Sequence, residues 1–278
     1  MSDCIIDCHC HAGFGDGLTG PWDTSAPLNR YLRRADAAGI TKTVVFSAFH
    51  SDYEVANAKV AEIVEGNPKR LLGFVFINAQ QDRQRMLPLV ARFIQRHGFR
   101  GIKAHRYDTR ISREVCEAAR LFRVPVLYDV MGEIESVHLL AEEYPDVDFI
   151  IPHLGSFADE WRAQIGFIDI LARYPNIYTD TSGIRRFDLL VRAIRTAGSQ
   201  KILFGSDGPW LHPGLELAKI RALRLAPGAE AQIVCGNLLR LLAKRRPIGA
   251  IQEPQICERQ AAAFKDSAFK DPWGAVTR

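Results

Sequence analysis

Short apolar, β-branched runs alternate with longer stretches of helical periodicity along most of this chain. Eight runs read as strands, at residues 4–9, 43–47, 71–77, 101–104, 124–128, 148–152, 176–180 and 202–205. Most are apolar on both faces, as expected of parallel strands covered by helices rather than of a half-exposed sheet. Between them, residues 28–38, 55–65, 83–96, 113–122, 136–143 and 188–196 carry apolar side chains at three- and four-residue spacing, and predict amphipathic helices. Gly39, Gly66-Asn67-Pro68, Gly98 and Gly198 supply stop signals after several of them. Eight strand–helix repeats predict an α/β fold, a closed TIM (β/α)8 barrel over residues 1–246, more readily than an open doubly wound sheet. The lack of a Gly-x-Gly-x-x-Gly after the first strand lowers the dinucleotide-binding alternative further. A last helix is predicted over 231–243. The pattern then changes: residues 247–278 carry Pro247, Pro254 and Pro272 and a weak helical signal around 258–269. This C-terminal extension either wraps the barrel, reaches a neighbouring subunit or is partly disordered.

The chain has 278 residues, a length that suits one barrel of about 250 residues. A net charge of +4 is small for this size, and only Lys244-Arg245-Arg246 forms a basic run, read as a solvated helix end. Nucleic acid is therefore not an expected partner. The six cysteines lack the density of a disulfide framework, and three of them lie in or beside the first strand, where Cys packs as a small hydrophobe. With no secretory leader pattern and no apolar run approaching the roughly 18 residues of a membrane span, the expectation is a cytoplasmic protein that does not enter a membrane.

Catalytic groups in such a barrel come from the C-terminal ends of its strands. The first strand ends Asp7-Cys8-His9-Cys10-His11, and its period of two puts Asp7, His9 and His11 on one face and Cys8 and Cys10 on the other. Two imidazoles so placed can reach one ion. The fourth strand ends in Lys103 and His105, the fifth in Asp129, the sixth in His153, the seventh in Asp180 and the eighth in Asp207. Taken singly, each could be a cap or a loop residue. Together they put ionisable groups on most strand ends of a chain with only eight histidines.

The pattern Ile6-Asp7-x-His9-x-His11, Gly101-Ile102-Lys103-x-His105, His153-Leu154-Gly155 and Phe204-Gly205-Ser206-Asp207-x-Pro209 resembles the amidohydrolase-related group of the amidohydrolase superfamily. That group holds metal-dependent hydrolases, lactonases and decarboxylases similar to aminocarboxymuconate-semialdehyde decarboxylase. Asn57, Pro68-x-Arg70-x-x-Gly73, Pro175-Asn176 and Gly236-Asn237-x-x-Arg240-Leu241 extend the likeness from about residue 5 to residue 243. The resemblance implies that His9, His11 and Asp207 bind a divalent metal, with His153 beside it as a polarising or proton-transferring group. Zinc suits imidazole plus carboxylate with an open position, and manganese or iron accept the same ligands. The chain departs from the family at Asp129, where a histidine, often a ligand, is usual. Asp129 is expected as a ligand or as a partner of groups around the metal.

Lys103 is either an ammonium for a substrate carboxylate or a carboxylated bridge between two metals, with the ammonium preferred because the fifth-strand histidine is missing. His105 is a metal or substrate contact, or a satisfied loop histidine. His50, Trp210 and His212 fall in loops at the catalytic face and are candidates for substrate contact, as Arg185 and Arg186 are for an anion. Asp7 is expected as a buried acceptor that orients its neighbours. The leading expectation is hydrolysis of a small lactone, ester or amide carrying a carboxylate, through a metal-bound water, with Asp207 as base and His153 stabilising the oxyanion. Non-oxidative decarboxylation is the alternative. A barrel that has lost catalysis and binds a ligand or partner is the third. Homo-oligomers fit the family, and nothing in the chain sets a subunit number.

Overall fold

Parallel strands need crossovers, and each helix predicted between two strands supplies one. A computed structural model describes residues 4–20, 25–157, 160–247, 249 and 251–268. The chain runs β1 (Ile6–Phe14), β2 (Ser25–Ala26), α1 (Leu28–Ala38), β3 (Lys42–Ser47), α2 (Tyr53–Glu65), β4 (Leu71–Phe76) and α3 (Met86–Arg96). It continues β5 (Gly101–His105), α4 (Arg113–Phe122), β6 (Val126–Asp129), α5 (Glu135–Glu143), β7 (Phe149–Ile151), α6 (Trp161–Arg173), β8 (Ile177–Asp180), α7 (Phe187–Ala197) and β9 (Ile202–Leu203). Helices α8 (Pro213–Ala222), α9 (Pro227–Ala231), α10 (Asn237–Leu242) and α11 (Glu253–Ala268) follow.

The sheet order is β2-β1-β3-β4-β5-β6-β7-β8-β9, parallel throughout except for the two-residue β2. The seam between β1 and β9 is bridged by Cys8 N donating to Phe204 O (2.9 Å), His11 N to Gly208 O (2.6 Å) and Gly208 N to His9 O (3.3 Å). These bonds close the predicted TIM barrel. Strand residues such as Val45, Phe74, Ile102, Leu127, Ile150 and Leu203 are buried and belong to one continuous apolar core with residues of the surrounding helices.

Helix ends follow local chemistry. Gly39 closes α1 at φ 80°, and the Asp52 side chain caps α2 by accepting from Glu54 N and Val55 N. One strand end shifts. Strand β1 continues to Phe14, because Cys10, His11 and Ala12 pair with Val45, Phe46 and Ser47 of β3 and Gly13 and Phe14 with β2, so His11 as well as His9 lies within the strand. Its register slips by one residue between Asp7 and Cys10, a bulge beside the site. The helix predicted over 231–243 is present, with a π turn over Gln232–Gly236 joining the short α9 to α10.

Two features depend on contacts between distant parts of the chain. Cys4, just before β1, is disulfide-paired with Cys235 in the π turn, with Cα atoms 5.9 Å apart across 231 residues of sequence. The barrel's closure brings these distant positions together, which spacing along the chain does not reveal. The extension folds back as α11 against α3 and α4. There the Gln260 amide oxygen accepts from Leu87 N at 2.8 Å and its nitrogen reaches Glu114 at 3.2 Å. The part of the predicted tail helix at residue 269 lies outside the described residues. Among the described residues no helix is long and apolar enough to cross a membrane.

Candidate metal centre and its cavity

His9 and His11 project from β1 toward Asp207, which follows β9. Asp207 Oδ1 lies 3.3 Å from His9 Nε2 and 3.7 Å from His11 Nε2. One ligand atom from each of the three lies within 4.8 Å of the others, and all three residues are buried. Each imidazole is held through its other nitrogen, His9 Nδ1 by Asp180 Oδ2 (2.8 Å) and His11 Nδ1 by Ser47 O (2.9 Å). An acceptor at Nδ1 places the proton there and leaves the Nε2 lone pair facing Asp207, the usual arrangement around a metal-ligating histidine. Burial, together with the Lys103 charge, lowers both imidazoles from their ordinary range, His11 well below it, so they are neutral donors at neutral pH. The donor set therefore fits a divalent metal ion.

Asp7 shares the β1 face but turns away from the cluster. Its carboxylate accepts from His9 N, Ser206 N, Ser206 Oγ and Tyr31 Oη, tying β1 to the loop that carries Asp207. Burial pushes the Asp7 carboxyl up to about 7 in spite of these hydrogen bonds.

A second group faces the first across the cavity. Asp129, at the end of β6, sets Oδ2 3.3 Å from His105 Nε2 and 3.4 Å from His153 Nε2, while Met131 N donates to its Oδ1. Burial raises the Asp129 carboxyl, but the two imidazoles outweigh it and hold it well below its usual range. His153 responds in the opposite sense. Burial alone would lower it, and the Asp129 carboxylate, with Asp180 and Asp207 behind, raises it to about 9. Asp129 thus partners two histidines, and does not join the mutually close atoms of His9, His11 and Asp207.

His153 is carried on an unusual backbone. His153 (φ 60°), Leu154 (φ 55°) and Gly155 (φ 88°) are three successive left-handed residues. The first two are not glycine, at a cost of about 1–2 kcal/mol each. Such strain persists where the surroundings over-determine it. Here His153 Nδ1 is held by Ser182 O (2.8 Å) and Ser182 Oγ (2.9 Å), and Leu154 N donates to Thr179 Oγ1.

Lys103 lies between the two groups. It is fully buried, its Nζ has no hydrogen-bond partner among the described residues, and the Phe46 ring centroid is 5.0 Å away. Burial lowers its pKa, opposed by Asp129, Asp207 and Asp180. An ammonium in this position is costly unless a ligand completes it.

His9, His11, Lys103, His105, Asp129, His153, Asp207 and Trp210 all line one cavity of about 290 Å³, whose apolar wall is Phe49, Met131 and Phe157. The Trp210 ring sits 4.4 Å from that of His11. His50 is not part of this lining; its Nδ1 accepts from Asp52 N, 3.5 Å from Asp16. His212 caps α8 and Arg186 pairs with Asp188. Asp180, Ser47 and Ser182 carry roles that sequence reasoning missed. Only the strand-end position of Asp180 and Ser182 was a signal, and the Ser47 contact is through a backbone carbonyl.

A (β/α)8 barrel with two imidazoles and a carboxylate converging at the C-terminal ends of its strands belongs to the metal-dependent barrel enzymes. The chain is a member of the amidohydrolase family, whose model matches residues 6–243. A search of curated proteins finds no match. Solved structures share the fold. The 2,6-dihydroxybenzoate decarboxylase from Rhizobium is 18% identical, with a TM-score of 0.67 over 86% of this chain and 98% of that one. The 5-carboxyvanillate decarboxylase from Sphingomonas paucimobilis is 14% identical, with a TM-score of 0.65 over 87% and 99%. A dihydroxybenzoic acid decarboxylase from Polaromonas sp. JS666, with bound manganese and 2-nitroresorcinol, is 20% identical, with a TM-score of 0.62 over 88% and 98%.

Proposed function

We propose that this chain is a metal-dependent decarboxylase of a small planar carboxylic acid. The observation that carries the reading is that the His9–His11–Asp207 cluster, His153 and the unpartnered Lys103 ammonium open onto one cavity with an apolar wall. The decarboxylases among its structural neighbours support the same chemistry. A divalent ion on His9, His11 and Asp207 would supply Lewis acidity toward substrate oxygens. The donor set suits zinc, and manganese is what the Polaromonas neighbour binds.

Lys103 meets the substrate oxygen that gains charge as the carbon–carbon bond breaks, and the His153 imidazolium delivers a proton to the carbon that keeps the bonding pair. Carbon dioxide leaves uncharged, so the balance is R–COO⁻ + H⁺ → R–H + CO₂. Asp129 keeps His153 in its protonated form. Trp210, Phe49 and Phe157 exclude water and flank a planar ring, which strengthens the Lys103 contact. His105 holds the far side of Asp129.

Hydrolysis of a lactone, ester or amide is the second reading, and Asp207 favours it. Both imidazoles approach its Oδ1, and among the described residues nothing hydrogen-bonds its Oδ2, which is left to take a proton from an attacking water. Metal-loaded protein, screened with hydroxybenzoates, keto acids and lactones in ¹⁸O-labelled water, separates the two. Carbon dioxide released with no label in the organic product supports decarboxylation; label in a new carboxylate supports hydrolysis. A chain that takes up no divalent ion would leave a ligand-binding barrel as the account.

A further inference from the structure

The left-handed turn that carries His153 is held from outside the cavity by a residue that touches neither the cavity nor the metal cluster. Gln164, in the first turn of α6, is fully buried. Its Nε2 donates to His153 O at 3.1 Å and to Ser156 O at 2.8 Å, so one side-chain amide spans both ends of the turn. Among the described residues its Oε1 has no hydrogen-bond partner. A buried amide that leaves its acceptor unsatisfied while using both donors on one loop is placed there for those two bonds. The remaining restraints act on the opposite side of the turn: Asp180 Oδ1 on His153 N, Thr179 Oγ1 on Leu154 N, and Gly132 N on Gly155 O. Among the described residues, the carbonyls of His153 and Ser156 depend on α6, with Ser156 N as the other donor to His153 O.

We infer that Gln164 is a positioning residue for the His153 imidazole, acting through the backbone of the turn and not through contact with substrate. Its catalytic consequence rests on the reading of His153 as the proton donor, whereas the geometric claim stands without it. Removing the amide donors frees the turn to relax toward right-handed backbone. The ring then swings off Ser182 and Asp129, while His9 and His11, on β1, stay in place.

The test is nitrogen-15 NMR of the histidine side chains in the zinc-loaded full chain. Gln164→Met keeps the volume without donors, and Gln164→Glu keeps the shape with one donor at most. In either variant the His153 ring signals are expected to leave their parent positions and broaden, with His9 and His11 unmoved and the zinc Kd within about threefold, since the metal ligands are untouched. His153 signals identical to the parent in both variants would overturn the inference. So would a joint shift of all three histidines with loss of zinc binding, or failure of both variants to fold, either of which makes Gln164 a general core residue.

Discussion

Asp180 offers the sharpest test of how this site is organised. Its Oδ1 accepts from Ser182 N (3.0 Å), Ser182 Oγ (2.5 Å) and His153 N (3.4 Å), and its Oδ2 receives His9 Nδ1 at 2.8 Å. Asp180→Asn changes one atom, but the replacement cannot choose its orientation freely. An amide nitrogen at the Oδ1 position would face three donors, so the oxygen must stay there and the NH₂ must face His9. That NH₂ donates to His9 Nδ1, forces the imidazole proton onto Nε2 and removes the lone pair that points at Asp207. Loss of a carboxylate behind a ligating histidine ordinarily costs 10–100-fold in metal affinity, about 1.4–2.7 kcal/mol. The forced tautomer places this variant at the upper end, near 100-fold. Chelator competition on metal-free protein gives the zinc Kd directly, and thermal unfolding of the same samples shows that the barrel persists. A Kd within about twofold of the parent in a folded variant would refute both the orientation argument and the role of His9 as a ligand.

Three further outcomes follow from buried groups. Lys103→Met removes an ammonium with no hydrogen-bond partner among the described residues; the melting temperature should hold or rise, while kcat/KM for a carboxylate substrate should fall at least about 30-fold, the equivalent of about 2 kcal/mol for a desolvated charge contact. A lowered melting temperature with intact activity would remove Lys103 from the site. Gly155→Ala puts a Cβ 2.9 Å from Ile134 Cγ2 and 3.0 Å from Phe167 Cβ at φ 88°; about 2–4 kcal/mol of stability should be lost in urea titrations, from left-handed strain plus overpacking. Burial brings the Lys201 ammonium down to about 8. The folded chain therefore binds fewer protons than the unfolded one between pH 8 and the usual lysine range, and Lys201 makes stability rise with pH across that window. Lys201→Met should flatten this rise between pH 8 and 10, and equal slopes in parent and variant would show the group titrating normally.

What the sequence determined by itself is whatever a short periodicity can carry. Period two on β1 put His9 and His11 on one face, and strand–helix alternation predicted the barrel and so the strand ends where Lys103, His105, Asp129, His153 and Asp207 stand. These are local rules, because a side chain's direction follows from its own strand. The boundaries moved where pairing overrode pattern, as when β3 drew β1 on to Ala12 and β2 carried it to Phe14. Tertiary structure alone decided which groups meet. Asp180 behind His9, Ser47 behind His11, Asp129 between two histidines, Gln164 beneath the turn and Cys4 against Cys235 join elements distant in sequence. His50 shows the converse: its position in the loop after β3 suggested a substrate contact, yet the chain turns it toward Asp52 and Asp16. Such contacts depend on how the barrel closes and how each loop bends over its mouth, and no spacing along one chain encodes that geometry.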